Sequence, residues 1–94
     1  MPLQISPKVL KKLLTVHKVT PEEVYECFQN CENGFLLDSR EKNKTDPPTQ
    51  WFIARTDFGR TLKICFIVKA DGIHIKTAYE PNETEIRIYK NYSK

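Results

Sequence analysis

The stretch from Thr61 to Tyr79, TLKICFIVKADGIHIKTAY, leaves this chain the least freedom. Leu62, Ile64, Phe66 and Val68 alternate with other residues and so share one face of a strand, and Ile73 and Ile75 start a second alternation after the turn. Between the two runs lies Ala70-Asp71-Gly72. An Asp-Gly pair in that position signals a hairpin, because tight hairpin turns need positive φ and these residues tolerate it. The pattern predicts antiparallel strands over Thr61–Lys69 and Ile73–Tyr79, with Thr77 and Tyr79 on the face of Ile73 and Ile75. Gln50–Thr56 reads as a further strand, joined to the hairpin by a turn at Asp57-Phe58-Gly59-Arg60.

The N-terminal half reads as helical. Ser6-Pro7 pairs a capping hydroxyl with a proline at the first helical position, and Val9, Leu10, Leu13, Leu14 and His17 follow on one face. Thr20-Pro21-Glu22-Glu23 is a capping box that opens a second helix running to about Asn30, with Val24, Cys27, Phe28 and Cys31 as its apolar face. FLLDS, after Gly34, is a candidate first strand. The apolar-free REKNKTDPPT, from Arg40 to Thr49, is an exposed loop or strand edge. Pro81 stops the last strand and opens a helix to about Tyr92. The expectation is a single α+β domain over residues 1–94, with two N-terminal helices, a three- to four-stranded antiparallel sheet and a C-terminal helix.

A formal net charge of +3 is too small to identify a partner, but basic and acidic residues are segregated by element. Residues 1–20 carry four lysines and no acid, whereas Glu22, Glu23, Glu26 and Glu32 crowd the next segment. Cys27, Cys31 and Cys65 lack the dense spacing of a disulfide scaffold, which suits a reducing cytoplasm. Nothing near Met1 reads as a signal peptide, and the apolar run Ile64–Val68 is too short to cross a bilayer. There is no glycine-rich phosphate loop, C-x-x-C, H-E-x-x-H or G-x-S-x-G, so neither a nucleotide cofactor nor a metal is expected. Cys27 and Cys31 lie one helical turn apart, which zinc could use with His17 or His74, but on an apolar face they read as small hydrophobes.

The chemistry-bearing stretch is HIKTAYEPNETEIRIY, residues 74–89. With Ile73 and Ile75 inward, His74 and Lys76 stand outward about 6.6 Å apart, a separation that suits one phosphodiester. Thr77 and Tyr79 follow at the strand's end. Imidazole both takes and gives protons near neutrality, lysine offsets charge on a phosphorane, and RNA carries its own 2′-hydroxyl nucleophile. Alternating polar residues are equally what any half-exposed strand shows, and Arg55, Arg60 and Lys63 add basic groups on neighbouring strands and turns. His17 at a helix end is explained by the helix dipole as readily as by function.

HKVTPEEV at 17–24 resembles the K-H-G-V-[S/T]-x-E-E-V segment of BrnT-type toxins, the ribonuclease members of bacterial type II toxin–antitoxin modules. The likeness continues through WFIARTDFGRTLKICFIV and IHIKTAYEPNETEIRIY, where that family has a hairpin with a glycine-arginine turn, then a strand and a helix with Glu and Tyr four apart, as Glu85 and Tyr89 are. It covers nearly the whole chain through several weak matches. The chain also resembles a group of short bacterial proteins sharing DPPT followed by WFIA. Some of those are described as ADP-ribosyl-(dinitrogen reductase) hydrolases, an activity whose acidic metal cluster this sequence lacks.

The BrnT resemblance implies a RelE-like, metal-independent endoribonuclease without cofactor, an RNA substrate, and a cognate antitoxin through which oligomers could form. It carries over His17, Arg55, Thr77, Glu85 and Tyr89, while His74 and Lys76 come from spacing alone. Tyr79 stands where the family often has arginine, Lys18 replaces its glycine, and its early tryptophan is missing. In the expected mechanism His74 or Glu85 is the base, Arg55 and Lys76 clamp phosphate, and Tyr79 or Tyr89 orients RNA, with His17, Arg60 and Lys63 as further contacts. The alternative is a domain that binds protein or nucleic acid without cleaving it.

Overall fold

The computed structural model describes residues 2–38 and 47–92. Three helices and a five-stranded mixed sheet make up an α+β domain: β1 (Leu3–Gln4), α1 (Pro7–Lys12, continued by a π-helical turn Leu13–His17), α2 (Pro21–Asn30), β2 (Leu36–Leu37), β3 (Thr49–Arg55), β4 (Thr61–Lys69), β5 (Gly72–Tyr79) and α3 (Glu83–Tyr92). The sheet order is β1-β5-β4-β3-β2.

The central antiparallel hairpin forms as its pattern predicts, with Phe66 opposite Ile75 and Val68 opposite Ile73. Two features depart from the expected three- to four-stranded antiparallel sheet. Leu3 and Gln4, which carry no strand pattern, pair in parallel with Ile73 and His74. Of the described residues of FLLDS, only Leu36 and Leu37 form a strand. The expected loop from Arg40 lies outside the described residues up to Asp46, while Thr49 begins β3.

The helix ends follow local hydrogen bonding. The Ser6 hydroxyl accepts from Val9 N–H, and Thr20 and Glu23 complete the capping box reciprocally. The wide turn at Leu13–His17 ends when Lys18 enters the left-handed region at φ 56°, which lets the Lys18 and Val19 amides both donate to the Leu13 carbonyl. That turn buries Leu13 and Val19 but rotates Leu14, expected in the core, outward to 44% exposure. α3 begins two residues later than Pro81 suggests. Asn82 Oδ1 accepts from Glu85 N–H while Glu85 Oε1 accepts from Asn82 N–H, a second reciprocal cap.

Two faces of the sheet are covered. α1 and α2 bury Leu13, Val24, Cys27 and Phe28 against Phe52, Leu62, Ile64, Phe66 and Ala78, with Phe28 edge-on to both Phe52 and Phe66. α3 lies on the other face, where Tyr89 packs on Trp51. One irregularity in β5 decides which residues reach that second face. Between Ile75, opposite Phe66, and Thr77, opposite Cys65, Lys76 is an extra residue in a β-bulge. Ala78 is therefore fully buried on the face of Ile75. Thr77 and Tyr79, expected beside Ile73 and Ile75, turn to the α3 side with Lys63.

Candidate functional site

The bulge brings Tyr79 to the α3 face opposite Lys63, and the Asn82 cap fixes Glu85 above both. Lys63 Nζ lies 2.6 Å from Glu85 Oε2, and the Tyr79 hydroxyl donates to the same oxygen at 2.8 Å. The ammonium also sits 4.5 Å from the centre of the Trp51 ring and 5.6 Å from that of Tyr79. Lys63 is almost sealed, its side chain 4% exposed, while Glu85 keeps 16%. Charge-assisted bonds of this length in a semi-enclosed setting hold both charges strongly.

The acidities follow from that geometry. Burial alone would raise the Glu85 carboxyl, but the Lys63 bond, the Asn82 amide and the Tyr79 phenol together hold it below its ordinary value. Burial works against the Lys63 ammonium, and the Glu85 bond overrides it, raising the lysine. Burial and the bond to Glu85 raise the Tyr79 phenol, which stays protonated at neutral pH. At pH 7 the cluster is an ion pair with a neutral phenol attached.

His17 adjoins it. Its ring centre is 5.7 Å from that of Tyr79, and its buried Nε2 has no hydrogen-bond partner among the described residues. Arg60 gathers the same corner from behind: its guanidinium donates to the carbonyls of His17 and Lys18, to both Glu23 oxygens and to Glu80. Arg60 thereby ties α1, α2 and the end of β5 together through its own donors. Trp51, Glu23 and Glu80 are the members of this corner that sequence reasoning missed. The pairing of Glu80 and Glu23 with a turn arginine leaves no local spacing signal.

The remaining expected site residues lie elsewhere. His74 Nε2 is 2.7 Å from Asp71 Oδ1 at the hairpin turn, five residues along β5 from Tyr79, roughly 16 Å of strand. Lys76 is the exposed bulge residue, so it and His74 do not form the outward pair that regular alternation predicts. Thr77 is half-buried beside Cys65. Arg55 is exposed at the end of β3 and forms no ion pair among the described residues. Tyr89 is buried, its hydroxyl donating to the Gly34 carbonyl at 2.9 Å.

Among the described residues no three His, Cys, Asp or Glu side chains cluster as a metal site. Cys27 faces the core with its Sγ toward the Ala54 carbonyl, and burial, followed by Glu23 and Glu26, pushes its thiol up to about 12. It is inert as a nucleophile at neutral pH. A cavity of about 240 Å³ opens beside the ion pair, lined by Leu36, Trp51, Lys63, Glu85 and Ile88 among others. No helix is long and apolar enough to cross a membrane among the described residues. No known protein family matches the chain, and no curated protein matches it.

Proposed function

We propose that this protein is an RNA-cleaving toxin of the RelE/BrnT type, working in the cytoplasm without a metal cofactor and restrained by a cognate antitoxin. The observation that carries this reading is the convergence of Lys63, Glu85 and Tyr79, with His17 alongside, from three separated stretches of chain onto one corner of the sheet. Phosphodiester cleavage by a 2′-hydroxyl needs a proton acceptor, a proton donor and a positive charge. In the reaction Glu85 or His17 takes the 2′-hydroxyl proton and the 2′-oxygen bonds to phosphorus. The bond to the 5′-oxygen then breaks, and that oxygen takes a proton from Tyr79 or His17. Lys63 offsets the charge on the phosphorane. The products are a 2′,3′-cyclic phosphate and a 5′-hydroxyl. His74 and Lys76 have no part in this version of the mechanism.

One observation favours the alternative of a binding domain without catalysis. Lys63, Glu85 and Tyr79 already satisfy one another, and an ion pair whose lysine is 4% exposed serves packing as well as chemistry. Incubation of the purified protein with total RNA in EDTA separates the two. Wild-type protein and the His74→Ala and Lys76→Ala variants should cleave equally, and Tyr79→Phe, which keeps the ring, should fall by about 10²-fold. Absence of cleavage by the wild type in EDTA and in magnesium alike, with growth unaffected by overexpression, removes the nuclease and leaves the binding domain. Cleavage in magnesium only removes the metal-free mechanism.

A further inference from the structure

β3 has a half-open outer edge. Its outer neighbour β2 pairs only with Gln50 and Trp51, so Ile53, Ala54 and Arg55, which pair with β4 on their inner side, have no strand of the described residues on the outer side. The direction of the backbone groups can be read from their partners. The Thr49 carbonyl accepts from Asp38 N–H on the β2 side, and the Arg55 carbonyl accepts from the Asn30 side chain on that same outer side. Backbone groups in an antiparallel pair alternate in direction, so Ile53, an even number of residues from both, also turns its amide and carbonyl outward. These are the groups on which an added strand would pair.

The space on either side fits the same use. A cavity of about 590 Å³ lies between this edge and the end of α2, lined by Gln29, Asn30, Glu32 and Asn33. A second, of about 370 Å³, lies toward α3, lined by Thr61, Ile86, Tyr89 and Lys90. Both share Ile53, Ala54 and Arg55 as their common wall. An extended segment sends successive side chains to opposite faces, so a strand laid on this edge would place alternate residues in the two cavities. The α2 cavity offers the amides of Gln29, Asn30 and Asn33 beside the Glu32 carboxylate. The α3 cavity offers an apolar floor of Ile86 and Tyr89 beneath the cations Arg55 and Lys90, and Arg55 is exposed without a counter-ion among the described residues.

We infer that the Ile53–Arg55 edge of β3 is a strand-addition site for an extended segment of a partner protein. An acidic side chain of that segment points to Arg55, an apolar one rests on Ile86 and Tyr89, and intervening polar residues enter the α2 cavity. Main-chain bonds to the amide and carbonyl of Ile53 and to the Arg55 amide supply affinity, the Arg55 carbonyl being held by Asn30, and the two cavities supply selectivity. This does not depend on whether the Lys63–Glu85–Tyr79 corner is catalytic.

The test is selection from a displayed library of random twelve-residue peptides against the purified full chain. Enriched peptides should alternate polar with apolar or acidic residues. Their synthetic forms should bind Arg55→Glu about tenfold more weakly, a loss of about 1.4 kcal/mol. Methylation of the peptide's alternate backbone nitrogens should abolish binding, and hydrogen exchange at Ile53 and Arg55 should slow when the peptide is present. Failure to enrich any binder, binding unchanged in Arg55→Glu, or unchanged exchange at Ile53 would overturn the proposal. So would single-stranded RNA that displaces the peptide and itself needs Arg55, since the groove would then be a nucleic-acid track.

Discussion

At the scale of single residues, Glu85 does two jobs with its two oxygens. Oε1 caps α3 through Asn82 N–H, and Oε2 holds Lys63 and Tyr79. Removing its charge leaves a nearly sealed ammonium without a counter-charge, a change that is costly even when the intact pair contributes little. Glu85→Gln keeps the shape and part of the cap, so the expected loss is about 2 kcal/mol, read as a lower urea midpoint at unchanged slope. The pH dependence has a definite sign. Because the Glu85 carboxyl is lowered on folding, its contribution is complete above its unfolded value of about 4.3 and is lost as pH falls through the folded one. Because Lys63 is raised, its contribution is complete below about 10.4 and is lost as pH rises through the folded value. The contribution of this pair should be flat between these limits, and the acid limb should be shallower in Glu85→Gln than in the wild type. An acid limb of equal steepness in both would mean that the pair is not linked to folding.

At the scale of elements, the bulge at Lys76 shows where the sequence stopped being readable. Alternation through Ile73, Ile75, Thr77 and Tyr79 is a sound local pattern, yet Ala78 is the residue buried with Ile75. Nothing in the local sequence marks the extra residue. The bulge follows from fitting Ala78 under α1 and α2 while Tyr79 reaches Glu85 on the other side. By contrast the caps at Ser6 and Thr20 were legible, because a hydroxyl or carboxylate three residues from an orphan amide is a local fact. Glu85 and Tyr79 were legible as candidates, whereas their partner Lys63 was placed only among the further RNA contacts and Trp51 was missed. The bulge makes an unusual prediction. Deleting Lys76 leaves Ile75, Thr77, Ala78 and Tyr79 alternating between the faces they already occupy, so the variant should keep a cooperative fold within about 2 kcal/mol of wild type. Deleting Cys65 from the regular strand opposite should abolish it, since half of β4 would then turn its apolar residues the wrong way. Thermal unfolding of the two deletions decides the matter, and loss of the cooperative transition in the Lys76 deletion would count against this account of the register.

At the scale of the whole molecule, the sheet is closed on one side by a contact that joins the start of the chain to its central hairpin. The Ile73 amide donates to the Pro2 carbonyl at 2.9 Å, and Leu3 and Gln4 pair with Ile73 and His74. Two residues carry no strand signal of their own, and a parallel partner about seventy positions away leaves no local trace, so β1 could not be read from the sequence. It matters because it covers the first half of β5 and leaves its far end, with Tyr79, to His17 and Arg60. Gly72 is what permits the contact: its φ is +139°, and a Cβ there would stand 2.4 Å from the Pro2 carbonyl oxygen. Any side chain must therefore either expel β1 or bend the turn out of its conformation. Gly72→Ala should lower stability by about 2 kcal/mol, a fall of roughly 10 °C in melting temperature for a domain of this size. Hydrogen exchange at the Ile73 amide should rise, while the fluorescence of Trp51, buried on the α3 face, stays native below the transition. A melting temperature within about 2 °C of wild type would show that β1 is not part of the cooperative unit, and β5 would then have to be treated as a second open edge of the sheet.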